Sequence, residues 1–258
     1  MSRRNGDDAS TEAVVRDAAR AGDIDRYLAA LLAPRAVRGD LIALTAYLGE
    51  LARIPAIVSE PIMGEIRLQW WRDALECART GVATGSPVAD ALGRIAKRYD
   101  LPQELLLEQI DARLRDFDPE HSWHDVSEYL RATEGAAFRL SARLLGVEET
   151  PVVADLLAAA GQAYGRARLA FSARPARDGV GPGGAGLAQD ARVWLAEARR
   201  LLPAAPAPVL PAVLPLALVE PYLAALERAG PAVAGETADI SPVTRVWRLW
   251  WAKKRRRI

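Results

Sequence analysis

Apolar residues recur along the chain every three or four positions, the spacing that lines one face of an α-helix, and no run shows the alternation of half-buried strands. From Arg38 to Ile54, Leu41, Leu44, Leu48 and Leu51 form such a face, with Pro55 as its predicted stop. A second helix is predicted over Glu60–Arg79. Pro61 falls in its first turn, where a missing amide is tolerated, and Ile62, Ile66, Trp70, Ala74 and Cys77 make a stripe predicted to face the core. The same spacing predicts helices over Asp90–Arg98, Pro102–Phe117, Val126–Leu145 with Gly146 as its C-terminal stop, Pro151–Ala173, Leu187–Leu202, Leu214–Ala229 and Pro242–Lys254. Gly81–Pro87, Asp118–His124 and the Gly-rich stretch Arg174–Gly186 read as connections, the last with no assignable role. The expectation is a single all-α domain of about ten helices.

Composition sharpens this picture. Half of the 258 residues are hydrophobic and 26% are charged, enough for a substantial core, while a net charge of +1 argues against a global nucleic-acid or membrane-surface role, although residues 253–257 at the C-terminus are all basic. One cysteine, Cys77, rules out an internal disulfide and a cysteine-based zinc site and fits a reducing, cytoplasmic setting. Residues 1–22 begin with Asp7, Asp8 and Glu12 and no apolar run, so they read as a flexible, solvated tail rather than a signal or presequence. The helical domain is then expected over 23–252 and a basic tail over 253–258. Leu201–Leu226 is apolar enough to raise the question of a membrane span, but Pro203, Pro206, Pro208, Pro211, Pro215 and Pro221 interrupt it, which predicts a proline-rich approach to a buried helix.

Several landmarks, in order, resemble the squalene/phytoene synthase family. These are Asp25-Arg26-Tyr27, the run Arg35–Leu41 leading into Ala46-Tyr47, Ile66–Asp73 with its paired tryptophans, Tyr129 with Ala132–Ala136, and Pro211–Leu226. Taken alone, Tyr47, Trp70 and Trp71 at helical spacing read as core aromatics. The resemblance implies an isoprenoid-synthase-type helical bundle with a central cavity, and prenyl-transfer chemistry on prenyl diphosphates. A diphosphate leaving group needs magnesium held by carboxylates, supplied in the family by acidic motifs on two facing helices. Where the first motif is expected the chain reads Gly49-Glu50-Leu51-Ala52-Arg53-Ile54, with one acid and an arginine that cannot ligate a cation. Where the second is expected it reads Tyr164-Gly165-Arg166-Ala167-Arg168-Leu169-Ala170-Phe171-Ser172, with no acid before Asp178.

The pattern therefore resembles a degenerate subgroup, the synthase-like assembly factors of respiratory complex I, and Ser59–Trp71 is the segment that matches it best. The resemblance implies a non-catalytic assembly or interaction factor with no cofactor, a complex I subunit or intermediate as partner, and a lipid or prenyl group as ligand. Tyr47, Glu50, Arg53 and Ile54 would line the cavity from one side and Tyr164, Arg168, Phe171 and Ser172 from the other. The alternative is an active prenyltransferase whose magnesium is held by Asp73, Asp111 and Asp116.

Three further clusters carry readings of their own. His121 and His124 with Asp125 have a metal-like spacing but no third ligand, and a polar loop accounts for them. Arg166, Arg168 and Arg174 fit either an anion in a remnant cavity or a solvated helix face. Near the C-terminus, Trp247 is expected to close the core. Trp250, Trp251, Lys253, Lys254 and Arg255 offer a contact for an anionic membrane surface, on the inner face of the plasma membrane for a cytoplasmic protein.

Overall fold

A computed structural model describes residues 2–58, 60–117, 125–172, 184–229 and 240–258, and these are helical with no strand. They form α1 (Ser2–Gly22), α2 (Ile24–Leu31), α3 (Arg35–Ile57), α4 (Pro61–Thr80), α5 (Pro87–Tyr99), α6 (Gln103–Leu114), α7 (Val126–Leu130), α8 (Ala136–Leu144), α9 (Pro151–Ser172), α10 (Gly184–Leu201), α11 (Leu210–Val213), α12 (Val219–Ala229) and α13 (Pro242–Arg255). The helices group into two compact units, Met1–His121 and Ser122–Ile258.

The first unit is built around α3. Residues Leu41 to Gly49 are buried without interruption, so this middle stretch of the helix is enclosed on all sides, and α3 is packed by α1, α2, α5 and α6. Pro55 does not end α3 as expected; the helix runs two residues further, to Ile57. Residues 1–22, expected as a solvated tail, differ more: from Ser2 they form α1, whose Val15 and Ala19 are buried and which packs on α3. Asp23 caps α2, accepting the Arg26 amide at 3.0 Å and pairing with the Arg26 guanidinium at 3.0 Å, both side chains buried. Gly22 and Gly49 allow the two backbones to touch, since a Cβ on Gly49 would stand 2.7 Å from Gly22 Cα.

On α4 the expected core stripe is corrected. Ile62, Ile66 and Trp70 are exposed, Ile62 to 64%, and Cys77 is only half-buried. The buried residues are Gly64, Leu68, Trp71, Ala74 and Leu75, offset around the helix. Gly64 sets this face, because the Phe117 ring lies where its Cβ would be.

The second unit is built around α9, which packs against α10, α12, α8 and a π-helical turn, Arg131–Gly135, linking α7 to α8. There the Ala136 amide donates to the Arg131 carbonyl five residues back, and the Thr133 hydroxyl donates to the Tyr129 carbonyl at 2.8 Å. Gly161 and Gly165 bring α9 against this turn: a Cβ on Gly161 would meet Gly135 Cα at 2.7 Å, and one on Gly165 the Leu130 side chain at 2.4 Å. After α8, Gly146 takes a positive φ of 70°, the left-handed ending expected of it. The stretch Ala207–Arg228 is long and apolar enough to cross a membrane by composition, yet most of it is buried inside the fold as short 3-10 and α segments.

Candidate functional site

The first-motif residues lie at the C-terminal half of α3. Tyr47 is completely buried; its hydroxyl donates to the Leu106 carbonyl of α6 at 2.8 Å, and its ring meets Trp71 edge-on at 5.2 Å. Burial, reinforced by the Asp111 carboxylate and opposed by Arg113, holds the phenol protonated far above the usual tyrosine range. Ile54 is in the core. Glu50 and Arg53 pair with each other at 3.5 Å, half-exposed, a weak surface contact that occupies the one carboxylate of the motif.

The second-motif residues follow one another along α9. Tyr164 is fully buried against Phe138, with ring centroids 5.9 Å apart, and the Arg168 guanidinium lies 5.4 Å from the Tyr164 centroid. Phe171 is half-buried and packs edge-on against Tyr222 at 4.9 Å. The Ser172 side chain lies outside the described residues, as do Arg174, His121 and His124.

Arg166, read as either an anion ligand or part of a solvated face, is neither exposed nor open. It is buried, donates to Gln162 and to the Ser127 hydroxyl at 2.8 Å, and stands 3.6 Å from Asp190. Burial pushes its pKa down and Asp190 pulls it back up. Gln162 also donates to the Ser127 carbonyl at 2.9 Å, so α7, α9 and α10 are tied together through one cation. Ser127, Gln162 and Asp190 were not legible as partners because each is an ordinary polar residue until the fold brings it to Arg166.

Magnesium chemistry would need several hard oxygen donors converging. Among the described residues, no three His, Cys, Asp or Glu side chains come together in that way. The acids offered as substitutes are each engaged locally: Asp111 by Arg72, Asp116 by Arg113 at 3.5 Å, and Asp73 by Gln69 at 2.8 Å. The residues present at the two motifs do not fit a divalent cation.

At the C-terminus the expectation for Trp247 is corrected: it is 57% exposed rather than closing the core. Trp250 is exposed, Trp251 is half-buried, and Lys253, Lys254 and Arg255 are exposed at the end of α13. Arg255 lies 4.1 Å from the Trp251 centroid and Lys254 5.0 Å from that of Trp250.

The chain resembles NADH dehydrogenase (ubiquinone) complex I, assembly factor 6, from Mus musculus at 31% identity over 132 residues and from Homo sapiens at 29% over 133 residues. Each match covers 50% of this chain and 40% of the relative. The fold is that of a dehydrosqualene synthase solved with a ligand, at a TM-score of 0.76 and 14% identity over 96% of both chains. It is also that of the squalene synthase HpnC from Alicyclobacillus acidocaldarius, at a TM-score of 0.67 and 23% identity over 86% of this chain and 94% of that one. The family model described as squalene/phytoene synthase matches residues 19–171, more than half of the sequence, and the chain belongs to that family.

Proposed function

We propose that the chain is a non-catalytic member of its family that serves as an assembly or interaction factor for respiratory complex I, working at the cytoplasmic face of the membrane. A lipid or prenyl group is its small-molecule ligand in place of a reacting diphosphate. One observation carries the reading. At both positions where prenyl-transfer chemistry needs magnesium-binding carboxylates, the chain places Arg53 with Ile54 and Arg166 with Arg168. Glu50, the remaining acid, pairs with Arg53, and the buried Arg166 is held by Gln162, Ser127 and Asp190. The likeness to the complex I assembly factors over half of the chain supports the partner.

Two measurements test it. Incubation with farnesyl or geranylgeranyl diphosphate and magnesium gives no condensed product; product formation overturns the non-catalytic reading. Deletion of the protein in its parent organism lowers assembled complex I on native gels, with subassemblies accumulating. Normal complex I in the deletion strain overturns the assembly reading.

A further inference from the structure

Helix α13 carries apolar residues on its outer face as well as its inner one. Arg245, Leu249 and Ala252 turn inward onto the segment Leu214–Leu218, with the Arg245 guanidinium donating to the Ile240 carbonyl at 2.5 Å. On the opposite side Val243, Val246, Trp247 and Trp250 follow the i, i+3, i+4, i+7 spacing of one stripe and are 78%, 53%, 57% and 40% exposed. With Pro242 they line a shallow, almost wholly apolar groove. The indoles form a slab: Trp247 stacks on Trp251 at 5.5 Å and stands 5.6 Å from Trp250. An apolar stripe of this kind on a protein surface marks a contact.

Charge identifies what covers it. Residues 241–258 hold seven of the 34 basic residues (Arg245, Arg248, Lys253, Lys254, Arg255, Arg256 and Arg257) and none of the 33 acidic ones, which leaves the rest of the chain at −6. All but Arg245 are exposed. A negatively charged surface therefore attracts this end of the molecule and repels the remainder, which orients the approach. Indoles beside cations suit the boundary between lipid headgroups and acyl chains.

We infer that α13 lies in the plane of an anionic bilayer, with Val243, Val246, Trp247 and Trp250 inserted at the headgroup–acyl boundary and the cations of 253–257 among the headgroups. This deepens the membrane part of the proposed function and rests on that reading only for the location.

Vesicle binding by the full chain tests it without any complex I component, so its failure leaves the assembly reading standing and the converse also holds. At roughly 0.1 M salt, the protein is expected to co-sediment with phosphatidylcholine vesicles containing phosphatidylglycerol and not with phosphatidylcholine alone, with a blue shift of tryptophan emission. A V243S/V246S/W247S variant keeps every cation, changes only exposed side chains and should melt like the parent, yet its binding should fall by roughly tenfold or more. K253Q/K254Q/R255Q should lose binding to the anionic vesicles. Three outcomes overturn the inference: no binding by the parent, equal binding by the stripe variant, or stripe-dependent capture of an acidic soluble protein with no vesicle binding.

Discussion

Tyr47 stands just before the stretch Gly49–Ile54 where the family's first motif is expected, and its replacement by phenylalanine separates a packing role from a ligand-facing one. The hydroxyl is fully buried and gives its proton to the Leu106 carbonyl at 2.8 Å. That carbonyl belongs to α6, where the amide four residues on already bonds to it, so losing the hydroxyl leaves no orphaned acceptor. Tyr47→Phe therefore costs the net value of one hydrogen bond, about 1 kcal/mol. In a chain of this size that lowers the melting temperature by roughly 2–4 °C. Tyr47→Ala also deletes a ring packed edge-on against Trp71, and the cavity raises the penalty to about 3–5 kcal/mol. Urea unfolding followed by circular dichroism reads both. If Tyr47→Phe leaves stability unchanged while weakening complex I assembly in the parent organism, the phenol serves a ligand or partner and the packing argument is wrong.

Gly49→Ala and Gly161→Ala should each destabilise by about 1–3 kcal/mol or more, because the added methyl meets backbone at 2.7 Å in both places; urea midpoints within error of the parent would count against those close approaches. Arg166→Leu should cost about 1–3 kcal/mol, since the buried Gln162 carbonyl loses its donor while the exposed Asp190 returns to water; an unchanged midpoint would show the network to be slack. Because the folded-state pKa of Tyr47 is raised, the stability it contributes is present below the ordinary tyrosine pKa of about 10 and is lost as pH rises above it. Thermal melts of Tyr47→Phe should therefore decline less steeply above that pH than those of the parent. Calorimetry with magnesium and a non-hydrolysable diphosphate analogue should give no metal-dependent heat; saturable binding that needs the metal would revive the prenyltransferase alternative.

Helix content was legible in the sequence because apolar residues recur at helical spacing along most of the chain, and Gly81 and Gly146 mark the ends of α4 and α8, whereas Pro55 does not end α3. Which face each helix buries was less legible where two apolar stripes share one helix. On α4, Ile62, Ile66 and Trp70 compete with Leu68, Trp71 and Leu75, and the choice depends on Gly64, which has no side chain to register in a hydropathy pattern but makes room for the Phe117 ring. On α13 the stripe with the larger side chains is the exposed one, since Leu249 and Ala252 fit against the segment Leu214–Leu218 and three indoles do not share that place. The loss of paired acids at the motifs, with Glu50 alone remaining, could be read directly. The burial of Arg166 could not, because a helix rich in alanine and glycine gives no hint that a guanidinium is threaded between its neighbours.

The π turn at Arg131–Gly135 has a consequence for insertions and deletions. A five-residue hydrogen-bond step holds one residue more than an α-turn, and in an ordinary helix a lost residue swings everything beyond it by about 100° around the axis. Here the surplus residue is stored locally between the buried Tyr129–Leu130 and Ala136–Phe138 faces. Removing Ala132 would let the turn relax to α geometry with both faces still in phase, whereas removing a residue within Ala137–Leu144 would rotate the end of α8 out of the core. This segment thus acts as a length buffer, tolerant of a change in residue number that its neighbouring helices cannot absorb.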